Sequence, residues 1–171
     1  LSTYAREKSI DFASTPYARS EVNDLLEKCG VPYIKVASMD LTHYHYLDYI
    51  AKSGAPIVLS TGMGDLEEIR KAVATIEGAG NTNICILHCT SVYPAENSTL
   101  QLRNIHGLRE QFPNYPIGYS DHSLGTEMAV AAVALGACLI EKHFTLDRSR
   151  IGMDNQMATE PEAMARLVRE C

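Results

Sequence analysis

The side chains able to do chemistry in this 171-residue chain recur at one kind of place, the polar end of a short apolar run. Ser60-Thr61 closes one run, His88-Cys-Thr90-Ser91 with Tyr93 another, Ser120-Asp121-His122 a third and Glu141-Lys142-His143 a fourth. Ser14-Thr15 and the pair Lys35 and Ser38-Met-Asp40 stand in the same relation to runs nearer the N-terminus. His122 and His143 end consecutive runs. Two imidazoles from neighbouring strands, with positions left for water and substrate, suit a catalytic divalent ion. The competing reading is that each is a hydrogen-bonded polar residue closing its strand. Lys35, Ser38, Ser60, Thr61, Thr90, Ser91 and Ser120 offer one ammonium and several hydroxyls, the groups that hold a phosphate or carboxylate. Helix capping is the plainer alternative for the Ser and Thr residues. Lys35 is the sharper case, since a lysine inside an apolar run is costly unless paired. Among the acids, Asp40 reads as a general acid/base or ligand. Glu141 shares a face with His143 by strand alternation and reads as its supporting partner. Asp121 and Asp154 are further acidic candidates. Asp147 and Arg148 read as members of loop salt bridges, and His43, Tyr44, His45 and Tyr46 of the Leu41–Tyr46 turn as structural or peripheral.

These residues need elements to carry them. Val- and Ile-rich runs alternate with stretches of helical periodicity along the whole chain. The expected strands are Ile10–Ala13, Ile34–Ala37, Pro56–Ser60, Ile84–Cys89, Pro116–Tyr119 and Cys138–His143. The expected helices are Ser20–Cys29, Tyr46–Lys52, Asp65–Gly78, Thr99–Phe112, Gly125–Leu135 and Pro161–Glu170. Asp65 reads as an N-cap with acids in the first turn behind it. Alternating strands and helices imply a parallel sheet, open or closed. An open sheet gathers its polar groups at one switch point, whereas a barrel brings every strand end to one mouth. Here nearly every run ends in reactive residues, and no Gly-x-Gly-x-x-Gly follows any of them. A TIM (β/α)8 barrel is the expected fold. Such a barrel takes eight units and about 250 residues. The six units counted here therefore predict a barrel lacking about two N-terminal strands. No linker-like segment interrupts residues 1–171, which read as a single domain.

Composition bounds the partners. Fifteen basic against 21 acidic residues give a net charge of −6, and no Lys/Arg stripe exists to neutralise phosphates, so nucleic acid is not an expected partner. No apolar run approaches the roughly 20 residues of a membrane span, and no secretory leader is evident, so a cytoplasmic location is expected. The five cysteines are odd in number, and Cys85, Cys89 and Cys138 lie in apolar runs. They read as reduced, buried thiols.

Five segments together resemble the sialic acid synthase family, which includes N-acetylneuraminate synthase and its pseudaminate, legionaminate and 9-phosphate relatives. They are Lys35-Val-Ala-Ser38-Met-Asp40, Leu59-Ser-Thr-Gly-Met63, His88-Cys-Thr-Ser-Val-Tyr-Pro94, Gly118-Tyr-Ser-Asp-His122 and Glu141-Lys-His-Phe-Thr-Leu-Asp-Arg148. The resemblance runs the length of the chain. It implies condensation of phosphoenolpyruvate with an N-acylmannosamine-type sugar or its 6-phosphate. It also implies a divalent metal, usually Mn2+ with Mg2+ and Co2+ as the other candidates. By motif position His122 and His143 look like the metal ligands. Thr15, Lys35, Ser38, Thr61, Ser91, Tyr93 and Ser120 fall where relatives hold phosphoenolpyruvate, and Asp154 where they contact the sugar. Asp40 stands where relatives carry a catalytic carboxylate, often Glu. Gly152-Met-Asp-Asn-Gln-Met157 departs from the Gly-Pro-Asp-His of many members, which points to a variant sugar. The resemblance further implies a homodimer in the full-length parent and a C-terminal antifreeze-like domain, which is not expected within residues 1–171. Alternatives are another phosphoenolpyruvate-condensing synthase, or a truncated barrel without turnover.

Overall fold

A computed structural model describes residues 1–171, which divide into two compact units, Leu1–Cys85 and Ile86–Cys171. In the first unit α1 (Ser2–Glu7) precedes an extended segment, and α2 (Arg19–Asp24) winds into a wide turn over Leu25–Cys29. Gly30 ends that turn with φ 65°, a conformation that costs glycine little. β1 (Ile34–Val36), α3 (Tyr44–Ala51), β2 (Ile57–Ser60) and α4 (Leu66–Gly78) follow. β1 and β2 are parallel, with Ile34 opposite Ile57 and Val36 opposite Leu59. Those strands are buried along their whole length, as expected of parallel strands covered on both faces. Leu41, Leu47, Ile50 and Ile76 complete this core. Asp65 caps α4 as its type predicts. Its side chain accepts from Glu68 N at 2.9 Å and the Glu68 carboxylate accepts from Asp65 N at 2.9 Å, closing a capping box.

β3 (Ile84–Cys89) leads into the second unit, which holds α5 (Asn104–Gln111), β4 (Ile117–Asp121), α6 (Glu127–Ala134), β5 (Ile140–Lys142) and α7 (Pro161–Glu170). β3 pairs parallel with β4, and β4 with β5. Ile86, Leu87, Leu100, Ile105 and Tyr119 are its largest fully buried side chains. Both α5 and α6 pack on β4.

Three expectations need correction. Ile10–Ala13 forms no strand; the nearest ladder-like bond is one residue further on, from Lys35 N to Ser14 O at 3.4 Å. An apolar run without a full set of partners does not make a strand. Five strands are therefore present where six were expected. The five cysteines are free, but only Cys89 is buried, and Cys138 and Cys171 are exposed. Cys138 sits in the turn before β5, not inside the strand. No helix is long and apolar enough to cross a membrane.

Candidate functional site

Within each unit most of the predicted residues stand at or just beyond the C-terminal ends of the strands, Lys35 and Thr15 excepted. In the first unit Lys35 lies in the middle of β1, buried, and its ammonium donates to Ser60 Oγ at 2.8 Å and to Val36 O at 2.9 Å. That arrangement satisfies part of its hydrogen-bonding capacity and ties β1 to the end of β2. Ser38 Oγ accepts from Gly62 N at 3.0 Å, which anchors the loop holding the buried Thr61. Thr15 is half-buried in the extended segment beside Ser14. Asp40 closes the turn after β1. Its Oδ1 stands 3.7 Å from His43 Nδ1, while Oδ2 is buried with no hydrogen-bond partner. A buried carboxylate oxygen without a donor is costly in a purely structural role, which singles Asp40 out among the acids of this unit. Nearby, burial and then the Asp40 charge push the Tyr46 phenol up to about 12.

In the second unit His122 and His143 are the residues immediately beyond β4 and β5. Their ring centroids are 5.3 Å apart. The Tyr93 ring packs 4.2 Å from that of His122 and 5.8 Å from that of His143. His122 Nδ1 lies 2.8 Å from the Thr90 carbonyl, which only an N–H can satisfy. Nδ1 therefore carries the proton and Nε2 keeps its lone pair. His143 Nδ1 faces Asp154 Oδ2 at 3.6 Å. Ser120 Oγ donates to Glu141 Oε1 at 2.7 Å, so Glu141 is held by its partner across the ladder, and Cys89 Sγ lies 3.8 Å from both His122 Nδ1 and Ser91 Oγ.

The two imidazoles differ in proton affinity. Burial lowers His122, but the Cys89 thiol, the Thr90 carbonyl and the Glu141 charge outweigh it, and the net shift is upward. Burial and then His122 itself hold His143 below the ordinary value, against the pull of Asp154 and Glu141. Neighbouring imidazoles do not both charge readily.

The ring separation is close to what one shared divalent ion would require. With a metal–nitrogen distance of about 2.1 Å and roughly 1.1 Å from nitrogen to ring centre, two imidazoles on one ion at 90–109° have centres about 4.5–5.2 Å apart. The observed 5.3 Å lies about 0.1 Å beyond that range. No three His, Cys, Asp or Glu residues converge as a preformed metal cluster, so two imidazoles are what this chain would offer. Water and substrate would supply the other ligands.

Sequence reasoning missed three participants. Cys89 and the Thr90 carbonyl flank His122, and His43, read as structural, lies against Asp40. Spacing gives no signal for a backbone carbonyl. The buried ion pair Asp121–Lys142 was missed as a pair, although its register partners were both in view.

Parallel strands that alternate with helices and carry polar side chains beyond their C-terminal ends are those of a β/α-barrel type rather than of a dinucleotide-binding fold. The chain belongs to the NeuB family, whose model matches residues 1–171. The N,N'-diacetyllegionaminic acid synthase of Campylobacter jejuni is 42% identical over 169 residues, covering 98% of this chain and 50% of that protein. The N-acetylneuraminate-9-phosphate synthase of Homo sapiens is 39% identical over 169 residues, covering 99% of this chain and 46% of that protein. Among solved structures, the spore coat polysaccharide biosynthesis protein SpsE of Bacillus subtilis superimposes with a TM-score of 0.93 at 38% identity, covering 98% of this chain and 47% of that one. The chain thus spans about half the length of the relatives it matches.

Proposed function

We propose that the protein condenses phosphoenolpyruvate with the open-chain aldehyde of an N-acylmannosamine-type sugar, or its 6-phosphate, giving a sialic acid-type nonulosonate and phosphate. The observation that carries this reading is the His122–His143 pair on consecutive parallel strands of a NeuB-family chain, with rings 5.3 Å apart. His122 and His143 would hold a divalent cation, Mn2+ first among the candidates. When bound, the cation supplies Lewis-acid polarisation of the aldehyde oxygen.

The chain's own residues do the rest. Lys35, with Ser38, Thr61 and Thr15, presents an ammonium and hydroxyls to the phosphate or carboxylate of phosphoenolpyruvate. Ser91, Tyr93 and Ser120 are the corresponding contacts of the second unit. Fixing both anionic groups aims the methylene carbon at the carbonyl, and this orientation accounts for much of the rate. Positive charge then develops at the phosphate-bearing carbon. Water adds there, and the tetrahedral intermediate expels phosphate. Asp40, with one buried oxygen lacking a donor, is placed to take or give a proton in these steps. Asp154, beside His143, is the candidate sugar contact. Partners are small molecules, with a homodimer proposed for the whole protein.

The test is phosphate release from phosphoenolpyruvate across N-acetylmannosamine, its 6-phosphate and simple phosphorylated aldoses. Chelation should abolish release, Mn2+ should restore it, and His122→Ala or His143→Ala should remove the restoration. Turnover that survives chelation overturns the metal role. A preference for phosphorylated aldoses without an acylamino group moves the protein to another phosphoenolpyruvate-condensing class.

A further inference from the structure

Behind the two histidines lies a buried polar network that the proposed chemistry does not use. In the β4–β5 ladder Ser120 is opposite Glu141 and Asp121 is opposite Lys142. Strand alternation sends neighbours to opposite faces. Ser120, His122, Glu141 and His143 thus share one face, and Asp121 and Lys142 the other. There Lys142 Nζ meets Asp121 Oδ2 at 2.7 Å, with side chains only 3% and 0% exposed. Lys142 Nζ also donates to Ser123 O at 2.8 Å. Asp121 Oδ1 accepts from Ser123 N at 2.9 Å, Ser123 Oγ at 2.7 Å and Tyr119 OH at 3.2 Å.

Stability alone is a poor reason for this arrangement. Desolvating two charges costs several kcal/mol each, and a well-packed neutral pair often does as well or better. What a neutral pair lacks is positional demand. β5 is three residues long and only half-buried, so its ladder with β4 constrains it weakly. A one-residue slip would turn Lys142 away from Asp121, leave that carboxylate buried without its cation, and turn His143 to the wrong face. The network also brackets His122, since Asp121 precedes it and Ser123, held by both members of the pair, follows it. On the other strand Lys142 directly precedes His143.

We propose that the Asp121–Lys142 ion pair is a positioning device that sets the separation of the His122 and His143 imidazoles and thereby the affinity for a divalent cation. The inference rests on the metal role proposed above for those histidines. Neither residue touches the ion or substrate; both act through the strands that carry the ligands.

The test replaces the charges without emptying the space. Mn2+ affinity is titrated by electron paramagnetic resonance of the free ion in wild type, Asp121→Asn/Lys142→Met, Lys142→Arg and His122→Ala, with circular dichroism monitoring the fold. Lys142→Met alone is avoided because it strands a buried carboxylate. The double variant should fold and bind Mn2+ about ten-fold more weakly, on the scale seen when supporting groups of metal ligands are removed. Lys142→Arg, which keeps the charge, should stay within about two-fold of wild type. A folded double variant with wild-type affinity overturns the positioning role. So does a double variant that fails to fold, which would make the pair a stability element. If wild type and His122→Ala bind Mn2+ equally, the metal reading itself falls, and the positioning role with it.

Discussion

Gly118 gives the strictest test of how β4 is seated. A Cβ added there would lie 2.5 Å from Leu87 Cδ2, 2.7 Å from Leu139 O and 3.1 Å from Leu139 Cβ. The leucine methyl can rotate away; the carbonyl cannot, because it belongs to the chain entering β5 and accepts from Tyr119 N at 2.8 Å. The clash is about 0.6 Å inside a comfortable C···O contact of about 3.3 Å. Overpacking of this kind costs about 1–3 kcal/mol. Losing a glycine from the unfolded chain returns about 0.4–1 kcal/mol. Gly118→Ala should therefore destabilise by a net ~1–2 kcal/mol. That lowers the thermal midpoint by about 2–8 °C for a chain of this size. Gly107 is the control. It lies inside α5 with nothing within 4 Å of a built Cβ and an ordinary φ, so Gly107→Ala should stabilise by about 0.5–1 kcal/mol. Urea unfolding of the two variants beside wild type reads both signs, with shifts in midpoint and an unchanged slope. A Gly118→Ala protein as stable as wild type would refute the close packing of β4 against the turn into β5.

Two further outcomes follow from buried polar groups. His88 Nε2 lies 2.7 Å from the Leu100 carbonyl, and burial, only partly offset by that bond, holds its pKa below the ordinary 6.5. Below that value the unfolded chain takes up a proton that the folded one resists, so this contribution to stability is intact above about pH 6.5 and is lost as the pH falls through the folded pKa. The stability advantage of wild type over His88→Gln should shrink between about pH 7 and about pH 5 in denaturant titrations; a constant difference would mean that His88 does not titrate on unfolding. Lys35→Met removes a buried ammonium held by Ser60. If that ammonium also holds phosphoenolpyruvate, the KM should rise about ten- to a hundred-fold, the worth of a charge-assisted hydrogen bond. An unchanged KM would leave Lys35 as a brace between β1 and β2.

Legibility followed the range of the interactions. Asp65 announced its helix because a cap and its Glu68 partner lie three residues apart, and both bonds form. β3 is readable to the residue, since a parallel strand buried at all but one position, Cys85, is a nearly continuous apolar run. Ile10–Ala13 was expected as a strand on apolar composition but is neither buried nor a strand, with Ile10 66% exposed, because composition does not report whether hydrogen-bonded neighbours are present. The same distinction governs the site. His122 and His143 were visible as candidates because imidazoles at strand ends are a matter of residue type and spacing. What orients them is not of that kind: the Thr90 carbonyl, Cys89 and the faces of β4 and β5 enter only through pairing. Asp121 opposite Lys142 is the clearest case. Each alone reads as an ordinary charge beside a histidine, and only the ladder register turns the two into a buried pair behind the ligand face. The residues that would touch a cation are thus written in local sequence, whereas the residues that hold those ligands in place are written in the register between strands.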